Sequence, residues 1–97
     1  MCAAPKQGNG LAGVDLSVQT VIQGQVWHDG APVAGAYVRL LGTDDEFTAE
    51  VVTSPEGEFR FFAAPGQWKL RSLAQVGKGE RVVDAEVGLN ETTVVID

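Results

Sequence analysis

A chain of 97 residues, 44% hydrophobic and 21% charged, suffices for one domain with a modest core. Thirteen acidic against seven basic residues give a net charge of −6. Phosphate-rich surfaces require the opposite sign, which disfavours nucleic acid and anionic membrane as partners. The single cysteine, Cys2, excludes an internal disulfide and a multi-cysteine zinc site.

Residues 1–18 read as a flexible tail, because Gln7-Gly8-Asn9-Gly10 and Ala12-Gly13 offer little to bury and much entropy to lose. No apolar h-region follows Lys6, and no stretch approaches the roughly 20 apolar residues of a membrane helix. The expectation is a cytoplasmic protein whose folded body, residues 19–97, is one domain.

From Val21 onward apolar residues alternate at a spacing of two, the period of a strand with one buried face. A first strand, Val21 to Trp27, faces Ile22, Gly24 and Val26 inward. Asp29-Gly30 supplies the positive φ of a tight turn, and Pro32-Val33 is a short extended piece. The second strand, Ala36 to Leu41, buries Val38 and Leu40. A turn at Gly42-Thr43-Asp44-Asp45 leads to a third, Glu46 to Thr53, expected to bury Phe47, Ala49 and Val51.

Ser54-Pro55-Glu56-Gly57 suits a type I turn, with Pro second and Gly fourth. The fourth strand, Glu58 to Phe62, buries Phe59 and Phe61. After the Pro65-Gly66 turn, the fifth, Gln67 to Gln75, buries Trp68 and Leu70. Gly77-Lys78-Gly79 reads as a hairpin turn. Two weaker strands follow, Glu80 to Val87 and Glu91 to Ile96, divided by Gly88-Leu89-Asn90. Seven short strands with no helical period predict an all-β, seven-stranded Greek-key β-sandwich of prealbumin-like or immunoglobulin-like type.

The positions Gly24, Val26, Pro32, Val33, Gly35, Ala36, Val38 and Leu40 carry a recognisable pattern. Gly57, Phe59, Phe61, Pro65, Gly66, Trp68 and Leu70 continue it. Together they resemble the carboxypeptidase regulatory-like domain, a transthyretin-like (prealbumin-like) sandwich that serves as a stabilising or binding add-on in unrelated proteins. Met1-Cys2, Pro5-Lys6-Gln7-Gly8, the run Asp45 to Val51 and the run Phe59 to Gly66 resemble a small actinobacterial family over nearly the whole chain. Its members have no established function. They are sometimes labelled sulfur-metabolism proteins, being encoded beside thiosulfate sulfurtransferases. The resemblance carries no catalytic residue across.

Cys2 is the one candidate nucleophile, and Lys6 lies four residues on, where it could favour the thiolate. It reads either as a sulfur-carrying thiol or as an ordinary second residue of a tail. His28 with Asp29 does not make a catalytic pair, since adjacent strand residues point to opposite faces. The Asp44, Asp45, Glu46 cluster with Glu50 lacks the spacing of a calcium loop and reads as a solvated turn. Neither glycine-rich phosphate loop appears, and one histidine leaves the serines and threonines without a triad. No enzyme, metal or cofactor is expected.

Outward parity places Arg39, Glu50, Arg60, Lys69 and Arg71 in solvent, where cross-strand ion pairs are expected. It also exposes Trp27, Tyr37, Leu41, Val52, Phe62 and Leu73. Aromatics flanked by arginines make Trp27, Tyr37, Arg39, Arg60, Phe62 and Arg71 the candidate interaction surface. Three functions remain: a non-enzymatic module that docks on another protein, a sulfurtransferase included, or on itself; a sulfur carrier through Cys2; and a small-ligand or carbohydrate binder stacking on Trp27 or Trp68.

Overall fold

Burying one face of each alternating run requires a second layer, and the computed structural model supplies it: two four-stranded sheets packed face to face. It describes residues 13–97, among which there are eight strands and no helix. They are β1 (Thr20–His28), β2 (Ala31–Pro32), β3 (Tyr37–Leu41), β4 (Phe47–Val52), β5 (Glu58–Ala63), β6 (Gly66–Ala74), β7 (Gly77–Ala85) and β8 (Gly88–Ile96). The protein is an all-β sandwich, as its alternation predicts. The eighth strand is β2, the short extended piece at Pro32, which pairs with the end of β1.

In the first sheet β1 is central. It pairs antiparallel with β5 and β2 and parallel with β8. The second sheet runs β4-β3-β6-β7, all antiparallel. The strands expected last are thus divided, β7 extending the second sheet and β8 completing the first. Between the layers lie Ile22, Val26, Phe59, Phe61, Val94 and Ile96 from one sheet, against Val38, Leu40 and Leu70 from the other. The Phe59 and Phe61 rings tilt at 52° with centroids 6.0 Å apart, a favourable aromatic arrangement.

Two turns behave as their residues dictate. Asp29 and Gly30 take φ of 52° and 79°, the left-handed pair of a type I′ hairpin. Gly57 N–H donates to Ser54 O at 2.8 Å, closing the Pro55 turn. Ser54 Oγ steadies it by accepting the amides of Glu56 and Glu58 at 3.2 and 3.1 Å.

Three expectations are corrected. Phe47 is not buried but 61% exposed, because the β3–β4 register slips between Leu40 and Leu41. Leu40 faces Ala49, yet Leu41 faces Phe47 rather than Thr48, and this bulge throws Phe47 onto the outer face. Leu41, expected outside, is buried: its ladder neighbours are Phe47 on one side and Lys69, paired with Asp45, on the other. The third correction concerns glycine. Gly77 and Gly79 lie inside β7 and Gly88 opens β8, so the connections fall at Gln75–Val76 and Glu86–Val87. A Cβ on Gly79 would sit 2.1 Å from Val95 O, so this glycine lets β7 pass against β8 across the open side of the sandwich.

Ahead of β1, Asp15 O accepts the amides of Val18 and Gln19 at 3.2 and 2.9 Å. Part of the expected tail is therefore an ordered turn leading into β1. Cys2 and Lys6 lie outside the described residues.

Candidate functional site

The ladder registers sort the outward side chains onto two separate faces. On the second sheet one cross-strand row reads Val52–Tyr37–Leu73, and the next reads Glu50–Arg39–Arg71–Glu80. On the first sheet the rows are Phe62–Val21–Leu89, Arg60–Gln23–Glu91, Glu58–Gln25–Thr93 and Pro32–Trp27–Val95. The expected single surface is therefore divided. Tyr37, Arg39 and Arg71 stand on one face of the sandwich, while Trp27, Arg60 and Phe62 stand on the opposite one.

Nor do the arginines flank the aromatics as free charges. Arg39 Nε donates to Glu50 at 2.7 Å, and Arg71 Nε donates to Glu80. Lys69 Nζ reaches Asp45 at 2.7 Å, and Arg71 lies 3.6 Å from the same carboxylate. Arg39–Glu50 and Arg71–Glu80 are the cross-strand ion pairs that the outward parity predicts, joining β3 to β4 and β6 to β7, whereas Lys69 pairs with Asp45 in the β3–β4 turn. The Lys69 hydrogen bond, foremost, holds the Asp45 carboxyl below its ordinary value, and the bond to Glu80 raises Arg71 above its own. Arg60 differs. Its Nε donates to the amide oxygen of Gln23 at 3.0 Å, on the other sheet.

Tyr37 and Val52 are about half exposed, at 52% and 46%. Beside them Val33, Ala34, Leu73, Ala74 and Val76 line a hollow of about 600 Å³ at the end of the sandwich. Phe47 is also exposed on β4, but the charged Arg39–Glu50 row separates it from Val52. Among the described residues that strand pairs only with β3, which leaves its other edge a row of backbone donors and acceptors with no strand partner there. Phe47 and the hollow were missed in sequence because one follows from a bulge and the other from where two loops meet.

The tryptophans are less available than aromatic content suggests. Trp27 is half-buried and donates Nε1–H to Gln25 Oε1 at 3.1 Å. Trp68 packs against the core and donates to Ala64 O at 2.8 Å. His28 Nδ1 lies 3.0 Å from Ile96 O, and since a carbonyl only accepts, that nitrogen carries the proton. Asp45, from the acidic turn, spends its carboxylate on Lys69 and Arg71. Among the described residues no three histidine, cysteine or acidic side chains converge as a metal site. No helix among them is long and apolar enough to cross a membrane.

A family model described as a protein of unknown function, DUF1416, matches residues 2–96. The chain belongs to the DUF1416 family. Two uncharacterised proteins of Mycobacterium tuberculosis H37Rv are each 56% identical to this DUF1416 chain over 99 residues, covering 99% of both partners. An uncharacterised protein of Mycolicibacterium smegmatis is 52% identical over 87 residues, covering 88% of the chain and 97% of the relative. These mycobacterial relatives agree with the actinobacterial setting that the resemblance implies. Among solved structures, a DUF3823 family protein from Parabacteroides merdae superposes with a TM-score of 0.62 at 15% identity. It covers 81% of the DUF1416 chain, which spans 46% of that protein. Similarity at that identity supports the fold alone.

Proposed function

We propose that this protein is a non-enzymatic interaction module that docks another protein on the β4 side of its second sheet. The observation that carries the proposal is the continuity of Tyr37, Val52 and the apolar hollow with the edge of β4 that has no strand partner among the described residues. An exposed edge with apolar side chains is the arrangement that accepts an added strand, backbone pairing giving affinity and the neighbouring hollow giving selectivity. The resemblance to carboxypeptidase regulatory-like modules, which act as add-ons, agrees with this reading. The sulfur-metabolism label carried by the resembling family makes a thiosulfate sulfurtransferase the first partner to test, in the cytoplasm.

The experiment is affinity capture and titration with purified sulfurtransferase, using wild type, Val52→Lys and Cys2→Ser baits. Docking through β4 predicts binding by wild type and Cys2→Ser and its loss in Val52→Lys. Binding lost only in Cys2→Ser assigns the interaction to the thiol and a sulfur-carrier role instead. Binding that survives Val52→Lys together with Tyr37→Ala overturns the docking surface.

A further inference from the structure

The opposite face of the sandwich carries a recess of different chemistry. Between β5 and β8, over the middle of β1, a trough of about 370 Å³ is lined by polar side chains. Two cross-strand rows build it: Arg60–Gln23–Glu91 and Glu58–Gln25–Thr93. Its floor is the β1 backbone at Gly24, whose missing side chain would point the other way, into the sandwich. A Cβ there would fall 1.7 Å from Thr92 O and 3.3 Å from the Phe59 ring. Its volume is at the small end of ligand sites, roughly 300–1,000 Å³.

The lining is held in place before any ligand arrives. Gln23 accepts from Arg60 at 3.0 Å and donates to Glu91 at 3.3 Å. Gln25 accepts from Trp27 at 3.1 Å and donates to Glu56 O at 3.0 Å. These contacts fix both amide orientations, and each amide keeps one N–H and one lone pair without a partner among the described residues. With the Glu58 carboxylate, the Thr93 hydroxyl and the Arg60 guanidinium, the trough presents alternating donors and acceptors.

Charge and spacing decide what such a surface accepts. One arginine against Glu58 and Glu91 gives an anion no net attraction. The two carboxylates stand on β5 and β8, separated by β1, so about 10 Å of sheet divides their backbones. A divalent cation needs its oxygens to converge within about 2.6 Å, which this layout does not provide. Hydroxyl groups, which donate and accept together, match the mixed lining. We propose that the trough binds a neutral polyhydroxyl ligand of mono- or disaccharide size, with Gln23, Gln25, Glu58 and Thr93 contacting it. Trp27 acts as a positioning residue that holds Gln25, not as a stacking platform.

The test is amide-resolved NMR with neutral mono- and disaccharides at up to about 20 mM, enough to saturate a site of about 1 mM Kd. The expected result is shift changes confined to the Gln23–Gln25, Glu58–Arg60 and Glu91–Thr93 segments for at least one sugar. Thr93→Val and Gln25→Leu should each weaken that binding roughly tenfold, while Val52→Lys on the other sheet leaves it unchanged. If Gln25→Leu disturbs the sheet, lost spectral dispersion will show it, and Thr93→Val decides alone. The proposal is overturned if no sugar shifts these amides, if the two variants bind as wild type does, or if sulfate binds here in preference to every sugar. The site lies on the face opposite β4, so its failure leaves the docking proposal intact.

Discussion

Thr53 holds Ala36: its hydroxyl oxygen accepts the Ala36 amide at 2.8 Å. The same hydroxyl donates to Val33 O at 2.7 Å, so one buried side chain closes the loop leading into β3. Thr53→Val keeps the shape and leaves two backbone groups unpaired. A loss of about 1–3 kcal/mol is expected, each kcal/mol lowering Tm by roughly 4–8 °C. Thr53→Ser should retain most of the stability. A thermal melt of Thr53→Val that matches wild type would refute this role.

Ser72 presents the reverse case. Its Oγ is fully buried on β6 and has no hydrogen-bond partner among the described residues. An unpaired buried hydroxyl costs stability, so Ser72→Ala is expected to be neutral or stabilising by up to about 1 kcal/mol. Urea unfolding measures it. A clear loss would show that the hydroxyl has a partner in solution, such as a buried water.

Gly79 offers a test of sign. Replacing glycine by alanine in compatible backbone stabilises by about 0.4–1 kcal/mol. Here the new Cβ would meet the backbone oxygen of Val95 at 2.1 Å, and neither strand can yield cheaply. Gly79→Ala is expected to destabilise by about 1–3 kcal/mol, read in the same unfolding assay. A stabilised variant would contradict the close approach of β7 to β8.

Acid should expose the Asp45 pair. The folded carboxyl titrates below its ordinary value of 3.8, chiefly through the Lys69 hydrogen bond. A depressed carboxyl stabilises the fold above its unfolded pKa, and that contribution is lost as pH falls through the folded value. At neutrality wild type should therefore be slightly more stable than Asp45→Asn, the margin kept small by solvent screening, and it should lose that margin as pH falls below 3.8. Parallel denaturation curves across that range would remove Asp45 from the acid response.

How far the chain could be read follows from these same residues. Alternation placed Ile22, Val26, Val38, Leu40, Phe59, Phe61 and Leu70 inside, because one period of two governs each strand. It failed at Phe47, where a bulge changes parity without leaving a mark in composition. Gly77, Gly79 and Gly88 were read as turn formers, yet they sit within or at the start of strands, since glycine serves a turn and a close contact between sheets equally well. The candidate surface was legible as outward parity and illegible as a patch. Parity says which way Trp27 and Tyr37 point relative to their own sheets, not that those sheets turn their backs on each other.

The parallel pairing of β8 with β1 also sets a schedule. His28 and Ile96 meet across 68 residues of chain, so finishing the first sheet requires a long loop to be closed. Loops of that length close late, and β-rich domains dominated by distant pairings fold over roughly milliseconds to seconds. Until then β1 has one side unpaired, and its alternating apolar residues are available to any other strand in the neighbourhood. For this protein the vulnerable interval is the wait for its last strand.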